Sequence, residues 1–206
     1  MFYQYILPII ILVIFLYIFY IWRFQIEQFV SAIVDSNFHN IKKLKSGVDE
    51  NEYYVQDMFE NQYDAVNMIA EINNIIIHFI KSLKVKYPNS ARVTRLVSKY
   101  NPESLMEGSP INNKNSTSYS VAKGKKLVFC LRSKKNKELH RRNLLMFVVL
   151  HELAHLMSVT YGHNAEFLKN FKFLLHEAMA SGIYRYDNYF TKPREYCGIN
   201  LTSTPV

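Results

Sequence analysis

Residues 151–155 read His-Glu-Leu-Ala-His. Side chains four apart on a helix share one face, so His151 and His155 can aim two imidazole nitrogens at a single metal ion. Glu152 stands one position round from His151, beside the coordination position left open. There it can take a proton from a metal-activated water. Zinc suits this set, because it accepts nitrogen ligands tetrahedrally and brings a bound water's pKa to about 7. The run that carries the motif, LLMFVVLHELAHLM over 144–157, is apolar. Burying a glutamate and two histidines there without partners is costly, and a metal removes that cost.

Zinc requires a third protein ligand. His163 follows Gly162, which lets the chain reverse after the helix and return an imidazole to the metal. Glu166 and Glu177 are the alternatives, since a carboxylate from the next helix can fill the same role. His39, His78, His140 and His176 read as surface or core histidines. In this reading Glu152 first accepts the proton of the attacking water and then delivers it to the leaving amine. Arg132, Tyr184, Tyr186 and Tyr196 are candidate assisting groups that the sequence does not rank.

The elements that must position these residues are legible in outline. Ala65, Ile69, Ile72, Ile76, Phe79, Ile80 and Leu83 recur at spacings of three and four, which predicts a helix over 56–87 with one buried face. Pro88 ends it, and 90–100 predicts a shorter helix. Residues 107–116 read as a loop. Two short strands are expected at 117–121 and 126–132, with the second beside the cleft and its edge open to a substrate strand. Helices follow over 143–159 and 164–181, the latter capped by Asn164 with Glu166 in its first turn. The tail from 183 to 206 reads as extended.

The chain has 206 residues, 49% of them hydrophobic. That is enough for one domain with a real core plus an appendage. Residues 2–22 carry no charge and as a helix would span about 31 Å, which predicts a transmembrane anchor over 1–23. The flanking basic residues Arg23, Lys42, Lys43 and Lys45 put the following domain on the cytoplasmic side of a viral or host membrane. Residues 24–55 read as a helical stalk broken by Gly47, leaving 56–206 as the catalytic domain. The net charge is +8, and Lys123–Arg142 alone carries it, with nine basic residues against Glu138. This segment could attract nucleic acid or could be a solvated loop. Cys130 and Cys197 are too few for a disulfide framework. They could pair once in an oxidising compartment, and a reduced setting fits equally well.

The succession KKLVFCLR, a charged connector, NLLMFVVLHELAH and then GHNAEF resembles WLM-type metallopeptidases, relatives of the SprT- and Spartan-like zincins. The matching positions are Leu131-Arg132, His151, Glu152, His155 and Gly162 to Phe167. The chain is also similar to WLM-like proteins of large DNA viruses with a comparable tail near Tyr196-Cys197-Gly198-Ile199. The resemblance implies an α+β zincin-like fold with a small sheet, a zinc ion on His151, His155 and His163, and peptide-bond hydrolysis with Glu152 as the base. It implies protein or peptide substrates, and family members act on proteins crosslinked to DNA. Two features depart from the pattern. Seven residues, Leu156 to Gly162, separate the second and third histidines, more than is usual, and a transmembrane anchor is not typical. A zinc-containing scaffold without activity is the alternative function.

Overall fold

The computed structural model describes residues 14–15, 17–18, 21, 41–108, 118–121 and 126–206. The chain divides into two compact units, Met1–His39 and Asn40–Val206. In the first, Ile14, Phe15, Tyr17, Ile18 and Ile21 are helical and exposed. The rest of the expected anchor lies outside the described residues. Among the described residues no helix is long and apolar enough to cross a membrane.

The second unit is α+β, with four helices and a five-stranded sheet. It opens on a hairpin, β1 (Ile41–Lys45) and β2 (Glu52–Gln56), paired antiparallel from Ile41 against Gln56 to Lys45 against Glu52. This corrects the helical stalk expected over 24–55, at least from residue 41. In β2 the alternate residues Tyr53 and Val55 are buried while Glu52 and Tyr54 face out, the period of a half-buried strand.

Helix α1 (Gln62–Lys86) follows, and all seven residues of its predicted apolar face are buried. It starts later than the expected residue 56 because Gln56 closes β2. Helix α2 (Ala91–Lys99) is capped by the Ser90 hydroxyl, which accepts the Val93 N–H at 3.5 Å. A short turn, Pro102–Ser104, leads into β3 (Leu105–Glu107), a strand the sequence reading did not assign and whose last residue is the first of the loop expected over 107–116. β3 lies parallel to β2 on one side and to β5 (Lys126–Phe129) on the other. β4 (Tyr119–Val121) pairs antiparallel with β5, giving the order β1-β2-β3-β5-β4. The expected open edge on 126–132 is therefore corrected. β5 is interior, and β4 is the edge among the described residues.

Helix α3 (Arg142–Met157) is buried on most sides, and it packs against α2, α1 and α4 (Ala165–Ala180). Its end is fixed by polar contacts. The Ser158 hydroxyl donates to the Ala154 carbonyl at 2.7 Å and accepts from Asn170 Nδ2 at 2.9 Å, while Arg95 Nη1 donates to the Met157 carbonyl at 2.9 Å. The tail is extended, as expected, except for a small hairpin of β6 (Arg194–Tyr196) and β7 (Ile199–Leu201).

Cys130 and Cys197 form a disulfide across 67 residues of sequence. It ties the turn of the β6–β7 hairpin to the end of β5. Closing a loop of that length restricts the unfolded chain and stabilises the fold by about 2–4 kcal/mol. Replacing Cys197 by Ser should lower the unfolding free energy by that amount in urea titrations. Reductant should bring the wild type down to the variant while leaving the variant unchanged.

Candidate metal and catalytic site

His151 and His155 lie on one face of α3, as their spacing requires. Met157 ends the helix, Gly162 takes a φ of +82°, and the chain turns back. Positive φ is inexpensive for glycine, which is why the reversal falls there. Glu166 holds the loop in shape. Its carboxylate accepts the Val159 N–H at 2.9 Å, the Thr160 N–H at 3.0 Å and the Thr160 hydroxyl at 2.6 Å. The Asn164 side chain caps α4 by accepting the Phe167 N–H at 3.1 Å.

The turn delivers His163 to the other two histidines. The Nε2 atoms stand 3.2 Å apart between His151 and His155, 3.2 Å between His155 and His163, and 3.0 Å between His163 and His151. Nitrogens about 2.0–2.1 Å from a tetrahedral zinc lie roughly 3.3–3.4 Å from one another, so this triangle fits the ion with a few tenths of an ångström of adjustment. Three imidazoles meeting at one point form a donor set for a shared cation. Among the described residues this is the group of side chains placed to hold a metal. The rings rest on Phe167 of α4, whose centroid lies 4.3 Å from that of His155 and 4.8 Å from those of both His151 and His163. Burial, and then the neighbouring His155 and His163, hold His151 down to about 3. It therefore presents a neutral ring with a free lone pair at neutral pH.

Neither alternative ligand is near. Glu166 is occupied by Thr160 and Val159, whose hydrogen bonds hold its carboxyl to about 2. Glu177 accepts from Lys86 Nζ at 2.8 Å and from the Tyr87 hydroxyl at 2.6 Å, near the end of α4 away from Asn164.

Glu152 is 5% exposed, and burial pushes its carboxyl up to about 7. It shares with the three histidines a cavity of about 630 Å³, which Ser118, Ser120 and Tyr196 also line. Of the four assisting groups considered, only Tyr196 reaches this cavity. Its hydroxyl lies 2.5 Å from the Ser118 hydroxyl, it senses the Glu152 charge, and burial raises its pKa, so the phenol stays protonated. Arg132 is instead fully buried against Glu107 at 2.8 Å. The Tyr184 hydroxyl accepts the Asp187 N–H at 3.4 Å, and Tyr186 is exposed. His140 packs against Tyr196 with the rings tilted by 39° and their centroids 5.1 Å apart, and belongs to the support of the tail. Sequence reasoning overlooked Ser118, Ser120, Ile199 and Leu201 as cavity residues. The short motif at 196–199 was the one signal pointing to that part of the wall.

No family model matches the chain. It is similar to an uncharacterized protein of Acanthamoeba polyphaga mimivirus, 31% identical over 160 residues, which are 76% of this chain and 80% of that protein. A shorter match, 38% identical over 81 residues, joins it to an uncharacterized protein of Invertebrate iridescent virus 3, covering 39% of this chain and 50% of that one. The crystal structure of Wss1 from Saccharomyces cerevisiae superposes with a TM-score of 0.46 at 20% identity, covering 63% of this chain and 88% of that chain. The extent of the first match makes this chain a member of the family represented by the uncharacterized mimivirus protein.

Proposed function

We propose that the chain is a zinc-dependent endopeptidase, tethered to a membrane through residues 2–22. One observation carries the reading: a triangle of imidazole nitrogens beside a buried glutamate of the same helix. A structural zinc site has no use for Glu152, and burying that carboxyl costs stability. A catalytic site has a direct use for it.

His151, His155 and His163 would hold the zinc. The ion supplies Lewis acidity and a water that ionises near pH 7. Its charge would favour the carboxylate form of Glu152 and offset the effect of burial. Glu152 then serves as base toward the attacking water and as acid toward the leaving amine. The edge strand β4 accepts an extended substrate backbone by strand addition. Tyr196 is the neutral donor available to the substrate carbonyl. The exposed basic residues of the segment Lys123–Arg142, among them Lys135, Lys137, Arg141 and Arg142 but not the buried Arg132, would bring nucleic acid, or protein bound to it, toward the cleft.

Four experiments test this reading. Glu152→Gln should keep the fold and one zinc per chain while lowering peptide cleavage by more than about 10²- to 10⁴-fold, the usual worth of acid–base assistance. Equal cleavage by wild type and variant defeats the enzyme reading and favours a zinc-containing scaffold. His163→Ala should weaken zinc retention by orders of magnitude in chelator competition, whereas Glu177→Ala keeps full occupancy. The reverse pattern would overturn the ligand assignment. Full-length chain should stay with membranes on carbonate extraction, and its release into the soluble fraction would remove the anchor. Running the cleavage assay with and without DNA reads out the role of the basic segment.

A further inference from the structure

The cavity over the histidines has an apolar wall that the proposed chemistry does not use. Phe147 and Val148 of α3 form one side. Ile199 and Leu201 of β7 form another. Residues two apart on a strand face the same way, so Ile199 and Leu201 meet the cavity together and Asn200 between them does not line it. Ile199 is 47% exposed, an apolar side chain left in water at the rim of the site. Among the described residues, no lysine, arginine or aspartate lines this cavity.

The tail is held in place to build that wall. Cys197 is bonded to Cys130, and Gly198 turns the chain at a φ of +86°. A Cβ at Gly198 would come within 2.7 Å of the Lys134 side chain. Opposite the wall runs β4. Its Ser120 hydroxyl lines the cavity, is buried, and has no hydrogen-bond partner.

We infer that the cleft takes an extended peptide with a bulky, uncharged apolar side chain next to the scissile bond, seated between α3 and β7. This rests on the peptidase reading and names its substrate class. Leucine, isoleucine, methionine or phenylalanine gains contact with both walls. A lysine or aspartate seated between Phe147, Val148, Ile199 and Leu201 must shed its water among apolar side chains, and the acidic residue that lines the cavity among the described residues, Glu152, belongs to the proposed catalytic site. Discrimination between side chains in an apolar pocket commonly reaches 10–200-fold for a single methylene. The preference for apolar over charged residues should therefore be on the order of a hundredfold in kcat/KM.

The experiment uses the full chain, zinc-loaded, on a mixture of unstructured peptides, with cleavage sites read by mass spectrometry. A fluorescent peptide containing Phe is titrated in parallel into Glu152→Gln, followed by anisotropy. Sites should concentrate beside Leu, Ile, Met or Phe at one fixed position. Ile199→Lys, at a half-exposed position that tolerates charge, should weaken Phe-peptide binding at least tenfold while keeping zinc. Leu201→Glu should gain cleavage beside Lys or Arg. Cleavage without apolar preference, or unchanged binding and selectivity in both variants, overturns the inference and leaves the peptidase reading standing. Selective binding by Glu152→Gln with no cleavage by the wild type does the opposite: the groove stands and the peptidase reading falls.

Discussion

The ion pair between Arg132 and Glu107 is the constraint on which the sheet, and through it the site, depends. Both side chains are fully buried and meet at 2.8 Å. Glu107 also accepts the Gln56 N–H at 2.8 Å, while the guanidinium donates to the Asn61 side chain and lies over the Phe59 ring at 4.4 Å. One cluster thus joins the end of β2, the end of β3, the residue that starts α1 and the residue just past β5. β3 has only three residues, too few for its ladder bonds alone to fix three parallel strands. A buried pair is indifferent or costly relative to an apolar replacement, yet losing one partner typically costs about 3–5 kcal/mol. Such a pair therefore tolerates one arrangement of the strands and penalises the others. The cluster also explains why Asn61 begins α1 without capping it, since its side-chain oxygen serves Arg132.

From the end of β5 the constraint passes to the site by two routes. The first is backbone: the His140 N–H donates to the Leu131 carbonyl at 2.8 Å, which places the connector leading into α3. The second is covalent, through Cys130 to Cys197 and so to Tyr196. His140 serves both, because its ring packs against Tyr196 and accepts the Cys197 N–H at 3.4 Å. Histidines, glutamate and phenol are thereby referred to one rigid strand end, although the residues span 57 positions from His140 to Cys197.

What was legible in the sequence follows the range of the interactions. His151, Glu152 and His155 belong to one helix, where spacing alone fixes geometry. His163 was reachable because Gly162 announces the turn that brings it back. The face of α1 was legible because a long helix repeats its period many times. The stretch 24–55 read as a helical stalk because its polar, mixed composition carries no strand period, and pairing with β2 is what makes Ile41–Lys45 a strand. β3 was invisible because three residues carry no period and strands buried on both faces do not alternate. Arg132 read as a candidate assisting group, since a sequence does not reveal that an arginine has a buried glutamate waiting 25 residues upstream.

The tail shows most clearly why local pattern ends where it does. Apart from the resemblance at 196–199, no local pattern in residues 194–201 distinguishes a wall of the cleft from a loose extension. The distinction lies in a bond to a residue 67 positions away, and in the backbone freedom of Gly198 against Lys134. Once that bond forms, Ile199 and Leu201 must face the histidines, because β7 pairs with β6 and alternates from a fixed turn. The histidine end of the cleft is thus set by helix periodicity, and its apolar end by a long-range covalent contact. The two ends can therefore vary independently: substitutions in β7 can change what the cleft holds while the three histidines, braced by Phe167 and the Glu166-ordered turn, keep their positions.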